Sequence, residues 1–210
     1  MTLKLNGSSS GSVSIDAPAD TTNGVDVALT LPVDDGDSGQ YLQTNGSGAL
    51  SFATVSAGIT EYDVWRVTTD VSNPGDITAN WERNDSAWFE KIGTGMTESS
   101  GIFTFPSTGK WDIRFQVVWL GVAEHDYTYG RFYHTANNGT DWNVCGNTMG
   151  SIFNSGGSQY MADRCNAMVD ITDVSNQKLK FYGGGSNSPT LKGGTDYDNT
   201  FATFMRIGDT

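Results

Sequence analysis

Trp111, Ile113, Phe115, Val117 and Trp119 occupy alternate positions, with Asp112, Arg114 and Gln116 between them. Alternation of large apolar and polar side chains with period two is the signature of a strand buried on one face. Nowhere in the 210 residues do apolar side chains recur at i, i+3, i+4 and i+7 through three turns, so amphipathic helices have no foothold. Further strands are expected at 62–68, 87–92, 102–105, 128–134, 142–144, 167–171, 178–182 and 200–207. Turn signals divide them: Asn73-Pro74-Gly75, Ser107-Thr108-Gly109, Asn137-Asn138-Gly139, Gly183-Gly184-Gly185 and Gly193-Gly194. Many short strands joined by Gly-rich loops specify an all-β chain, built as a sandwich, jelly roll or barrel.

Bulky side chains are spread unevenly. Residues 1–60 hold two aromatics, Tyr41 and Phe52, and the other 22 of 24 lie beyond them. A segment with so little to bury cannot offset its ordering entropy with a core of its own; it needs other chains or a partner. The expected organisation is an extended segment over 1–60 and a head over 61–210, with the boundary near 57–60. The head is long enough for one sizeable core. Within the segment, Val25, Val27, Leu29 and Leu31 alternate as one strand that Pro32 ends. Tyr41–Thr44 and Ala49–Phe52 flank Asn45-Gly46, a pair suited to a tight hairpin turn.

Charge removes several classes of partner. Twelve basic against 24 acidic side chains leave a formal charge of −12, which cannot displace the counterions of a nucleic acid. No apolar run approaches the ~20 residues of a membrane helix. The opening MTLKLNGSSSGS has no apolar core of a secretory leader, so none is expected. Cys145 and Cys165 form no CxxC pair, so no zinc or redox motif is present. They read as buried thiols, with a disulfide open where their strands are neighbours.

Residues 88–119, WFEKIGTGMTESSGIFTFPSTGKWDIRFQVVW, resemble the central stretch of the complement globular-head and tumour-necrosis-factor-like jelly roll. Gly101-Ile102-Phe103-Thr104-Phe105-Pro106, Gly109 and the strand from Trp111 to Phe115 carry the likeness. Asp198-Asn199-Thr200-Phe201-Ala202-Thr203-Phe204 resembles that family's closing strand, departing from it at Ala202-Thr203. Residues 165–181 resemble its penultimate pair of strands. The resemblance implies a jelly-roll β-sandwich that assembles as a homotrimer. It makes Phe103, Phe105, Trp111, Phe115, Trp119, Phe201 and Phe204 aromatics of the core or the three-fold axis.

Residues 29–55 carry a second resemblance. Leu31, Pro32, Gly39, Gln40, Leu42, Thr44, Asn45, Gly46, Gly48, Leu50 and Phe52 match a pattern found in phage tail-fibre and other virion proteins. That resemblance implies a virion structural protein, a fibre or decoration of tail or capsid, assembled in the host cytoplasm. Leu29, Leu31, Leu42, Leu50 and Phe52 then become candidates for anchoring to other virion proteins. Three copies would let the thin segments cover one another.

No catalytic constellation is expected. His125-Asp126 and His134 lack a G-x-S-x-G serine, so the chain reads as a non-enzyme, with a depolymerase as the weakest alternative. Asp34, Asp35 and Asp37 lack the bidentate Glu of an EF-hand and read as a solvated turn. Asp126, Asp196 and Asp198 fall in loops of the head, where relatives of this fold hold structural calcium near the trimer axis. No other cofactor is implied. Trp142, between Asp141 and Asn143 after a polar loop, is the candidate for contact with a host surface glycan, the second functional reading.

Overall fold

The computed structural model describes residues 3–6, 10, 12–15, 25–54, 58–153 and 156–210. Among the described residues every regular element is a strand. The chain divides into two compact units, Met1–Ala57 and Gly58–Thr210. Ala57, Asp16 and Asp20 lie outside the described residues.

The described residues of the first unit include two paired sets of strands. β1 (Leu3–Asn6) pairs with β2 (Ser12–Ile15), and β3 (Gln40–Thr44) pairs with β4 (Leu50–Thr54). The expected strand at 25–31 does not form; Thr30 makes one isolated bridge to Ala49. Its alternation has no sheet to lie on, and Val25, Val27, Leu29 and Leu31 are all at least 60% exposed. The Asn45-Gly46 turn is also longer than expected. Thr44 pairs with Leu50, leaving five residues in the loop. Gly46 and Gly48 take positive φ, and Asn45 Oδ1 accepts from Ser47 N at 2.8 Å and Ala49 N at 3.2 Å. Asn45 caps this loop through its side chain instead of adopting positive φ.

The second unit is the jelly-roll sandwich. Its strands are β5 (Glu61–Val67), β6 (Val71–Ser72), β7 (Gly75–Asp76), β8 (Trp81–Arg83), β9 (Thr97–Ser99), β10 (Ile102–Thr104), β11 (Gly109–Gly121), β12 (His125–Thr135), β13 (Asn143–Ile152), β14 (Gln159–Ile171), β15 (Lys178–Gly185), β16 (Thr190–Leu191) and β17 (Phe201–Gly208). One sheet runs β13-β12-β15-β10-β9, with β7 also on β15. The other runs β6-β16-β11-β17-β5-β8, and β14 pairs along the whole opposite edge of β11. Every pairing in the head is antiparallel.

Alternation along β11 does what its sequence requires. Trp111, Ile113, Phe115, Val117 and Trp119 are all fully buried, while Asp112, Arg114 and Gln116 face outward. They meet Phe103, Phe132, Leu179, Phe181 and Phe204 in one core. Each such side chain contributes roughly 1.5–3 kcal/mol on burial. Rings meet edge-on at Trp65–Phe103 and Phe103–Phe181, and stacked at Phe103–Phe204. Cys165 is buried and Cys145 half-buried, and both thiols are free.

Two expectations for the head are corrected. Residues 87–92 form a loop with one bridge, Ile92 to Tyr62, and the strands nearby are β8 and β9. Gly183-Gly184-Gly185 is no turn; it continues β15 to its end. These glycines serve close approach. A Cβ on Gly183 would sit 2.9 Å from Trp119 Cη2, and one on Gly184 2.8 Å from Tyr129 Oη.

Candidate functional site

The loop after β12 builds the wall of a groove. Thr135 Oγ1 accepts from Gly139 N at 3.0 Å and donates to Asn137 Oδ1 at 2.9 Å, folding the loop over the end of β12. Asn137 Oδ1 also accepts from Asp141 N, and Asn137 Nδ2 donates to Asp141 Oδ2. Asn138 and Gly139 take positive φ, which asparagine and glycine tolerate best. The turn delivers Trp142 beside the outward faces of β9 and β10.

Together they line a groove of about 420 Å³, whose walls and floor include Thr97, Glu98, Thr104, Asn138, Trp142 and Lys178. Lys178 Nζ donates to Asn138 Oδ1 at 2.5 Å, and Glu98 Oε1 accepts from Gly101 N at 2.6 Å. Lys180 Nζ lies 5.0 Å from the centre of the indole. An aromatic wall flanked by an amide, hydroxyls and an ammonium is suited to a pyranose. Its C–H face packs on the ring while its hydroxyls bond to the rim. The sequence singled out Trp142, but Glu98, Thr97 and Lys178 come from distant strands with no motif to mark them. Trp88, 76% exposed on the 84–92 loop, is not part of this groove.

The opposite sheet presents a different surface. Tyr62 on β5, Phe201, Thr203 and Met205 on β17, Asp112, Arg114 and Gln116 on β11, and Arg164 on β14 line a shallow depression of about 150 Å³. Arg114 pairs with Asp112 at 2.8 Å, and Arg164 donates to Gln116 Oε1 at 3.1 Å. Met168 (64% exposed) and Tyr160 (63%) lie outward on β14, and Phe153 (75%) just past β13. Of the seven core or axis aromatics, Phe103, Phe105, Trp111, Phe115, Trp119 and Phe204 lie in the core, whereas Phe201 faces outward. In the first unit Leu29, Leu31 and Leu42 are exposed and Leu50 and Phe52 half-buried. Leu31, Leu50 and Phe52 line a cavity of about 550 Å³ there with Asp34, Asp35 and Asp37.

Among the described residues, no three His, Cys, Asp or Glu side chains converge so as to hold a metal ion. Asp198 is committed to protein partners, accepting from Asn84 Nδ2 at 2.8 Å and lying 3.8 Å from Arg66. His125 Nδ1 is 2.6 Å from the Ser186 carbonyl, and His134 Nε2 is 3.3 Å from Gln177 Nε2. Burial holds the His134 pKa below its ordinary value.

Asp163, on the inward side of β14, has a buried Oδ2 with no hydrogen-bond partner. Burial raises its carboxyl above the ordinary range, and burial followed by its charge pushes the Cys165 thiol up to about 12. A carboxyl with a raised folded-state pKa favours the fold at low pH, an advantage lost as pH climbs from the ordinary value of 3.8 to the raised one. Asp163→Asn is therefore expected to raise the melting temperature at pH 7 and to leave it unchanged at pH 3. Solvent around the rest of the side chain screens the charge and keeps the gain below about 1 kcal/mol. Thermal scans of both proteins across this range check the sign.

No family model and no curated protein matches the sequence. Solved structures do match the fold. Eiger TNF from S. frugiperda superposes with a TM-score of 0.51 at 12% identity, covering 71% of this chain and 93% of that one. Murine APRIL, solved at pH 5.0, gives a TM-score of 0.52 at 11% identity over 70% of this chain and 98% of that one. At such identities the likeness concerns the fold alone. The chain is all-β, and its head has the tumour-necrosis-factor-like jelly-roll fold.

Proposed function

We propose that this chain is a homotrimeric surface protein of a phage particle. Residues 1–60 attach it to other virion proteins, and the jelly-roll head is displayed outward for adhesion or stabilisation. The observation carrying self-association is the outward face of β5-β17-β11-β14, where half-buried Tyr62, Phe201 and Met205 lie with exposed Met168 and Tyr160. A monomer in water has no reason to leave these side chains in one neighbourhood unless another surface covers them. The first unit adds to this, because its exposed leucines and valines call for a cover too. The virion setting rests on the pattern at 29–55.

Light scattering on the purified protein should give about three times 22.6 kDa. A mass of 22.6 kDa overturns the assembly. Phe201→Asp and Met205→Asp, both outside the core, should dissociate it while the far-UV spectrum stays that of a β sandwich. Labelled antibody against the head should mark the particle surface in electron micrographs.

A second reading, glycan recognition, is favoured by the groove at Trp142. Three heads per assembly, and several assemblies per particle, would convert weak sugar contacts into avidity. The two readings are compatible because they use opposite sheets.

A further inference from the structure

The groove does not end at Trp142. Lys180 Nζ, 5.0 Å from the indole, is also 5.4 Å from the centre of Tyr133. Tyr133 meets Tyr182 at 6.2 Å. Tyr182 lies parallel to Tyr129, with centres 5.8 Å apart and planes 5° apart, and Tyr129 stacks on Tyr127 at 6.2 Å. Four of the chain's eight tyrosines thus form one row on the outward face of β12 and β15. The inward face of the same strands uses Phe132 and Phe181. Bare Gly184 leaves the space in which the Tyr129 phenol lies over β15. From Tyr127 to Tyr133 the row runs about 20 Å along the strand, at ~3.3 Å per residue.

We infer that this tyrosine row and the Trp142 groove form one elongated platform for a linear, uncharged oligosaccharide several sugar units long. The inference rests on the glycan reading of the groove. The cations on the platform are held in place: Lys180 pairs with Asp76 at 2.9 Å, Arg131 donates to the Asn147 amide at 2.6 Å and lies 4.2 Å from the Tyr129 centre, and Lys178 bonds to the Asn138 amide. The platform therefore offers rings, hydroxyls and held donors, while the chain's −12 repels polyanions. Tyrosine is suited to this task because its ring packs on sugar C–H groups and its hydroxyl stays wet. Val144 and Met149 on β13 border the row.

The test titrates the full-length protein with neutral cello- and chito-oligosaccharides of two, four and six units, and with alginate oligosaccharides as the anionic control. Binding is read by calorimetry and by saturation-transfer NMR. In at least one neutral series, affinity should rise tenfold or more from the dimer to the hexamer. Tyr182→Ala and, as a second variant, Tyr129→Ala should bring the hexamer down to the affinity of the dimer and leave the dimer unchanged. Trp142→Ala should weaken both. Dimer binding that is lost in Trp142→Ala, with no gain in longer chains and no effect of either tyrosine variant, overturns the platform and keeps the groove. Failure of every neutral oligosaccharide to bind at millimolar concentration overturns both. Binding of alginate alone, fading with salt, overturns the uncharged ligand.

Discussion

Phe181→Ala should be among the most damaging single changes in this protein, costing about 3–5 kcal/mol of stability. Phe181 is fully buried at the middle of β15, and five rings surround it: Phe115 at 4.9 Å, Phe103 at 5.2 Å, Trp81 at 5.3 Å, and Phe132 and Phe204 at 5.9 Å. These rings come from five strands of the two sheets, so relaxation around the missing phenyl would have to move several strands at once. A cavity that cannot collapse carries the full cost of lost contacts. Urea unfolding should show the midpoint falling with little change in slope. A loss under about 1 kcal/mol would mean that the core repacks freely, contrary to this geometry.

Asp63→Ala should cost a similar amount for a different reason. Asp63 is 1% exposed, and its carboxylate accepts from Trp65 Nε1 at 2.9 Å, Met96 N at 2.8 Å, Val64 N at 3.0 Å and both ways from Arg83 Nε at 3.0 and 3.1 Å. Arg83 also donates to the Met96 carbonyl. Removing the carboxylate strands an indole N–H and two backbone N–H groups in a buried site and takes the ionic partner from Arg83, whose side chain is 33% exposed. Each buried donor left unpaired costs about 1–3 kcal/mol, and three are left at once. The double variant Asp63→Ala/Arg83→Met should recover part of the loss, because the uncompensated charge goes with it. If the double variant is as unstable as the sum of the singles, the charge pairing is not the source of the effect.

These two sites differ in how far the sequence reveals them. Alternation along 111–119 announced a strand with its inward face; the strand patterns left sandwich, jelly roll and barrel open, and the resemblance at 88–119 and 198–204 implied the jelly roll. Phe181 could be placed on a strand, yet its central role depends on five rings whose chain positions run from Trp81 to Phe204. Asp63 lies inside an apolar strand pattern with nothing to mark it as a hub, since its partners sit at 64, 65, 83 and 96. Strand assignment fails where alternation lacks a neighbouring sheet, as at 25–31, and where a glycine run signals close packing instead of a turn, as at 183–185. Trp142 stood out because a large aromatic after a polar loop has few structural uses. Its companions Glu98 and Lys178 did not, because residue type alone does not tell which distant side chains the register will gather. The tyrosine row was present in the sequence as Tyr127, Tyr129 and Tyr133, but Tyr182 joins them only through the β12–β15 pairing.

The sandwich puts its two outward faces on opposite sides of a core in which Phe115 and Phe181 touch. Residues 127, 129, 131, 133, 180 and 182 can therefore vary without contacting 112, 114, 201, 203 or 205. The head is divisible in cross-section. One side can be rewritten residue by residue, in a selection experiment or by natural drift, while the other keeps its composition. A randomised library confined to residues 127, 129, 131, 133, 180 and 182 should yield variants of altered binding and unaltered mass.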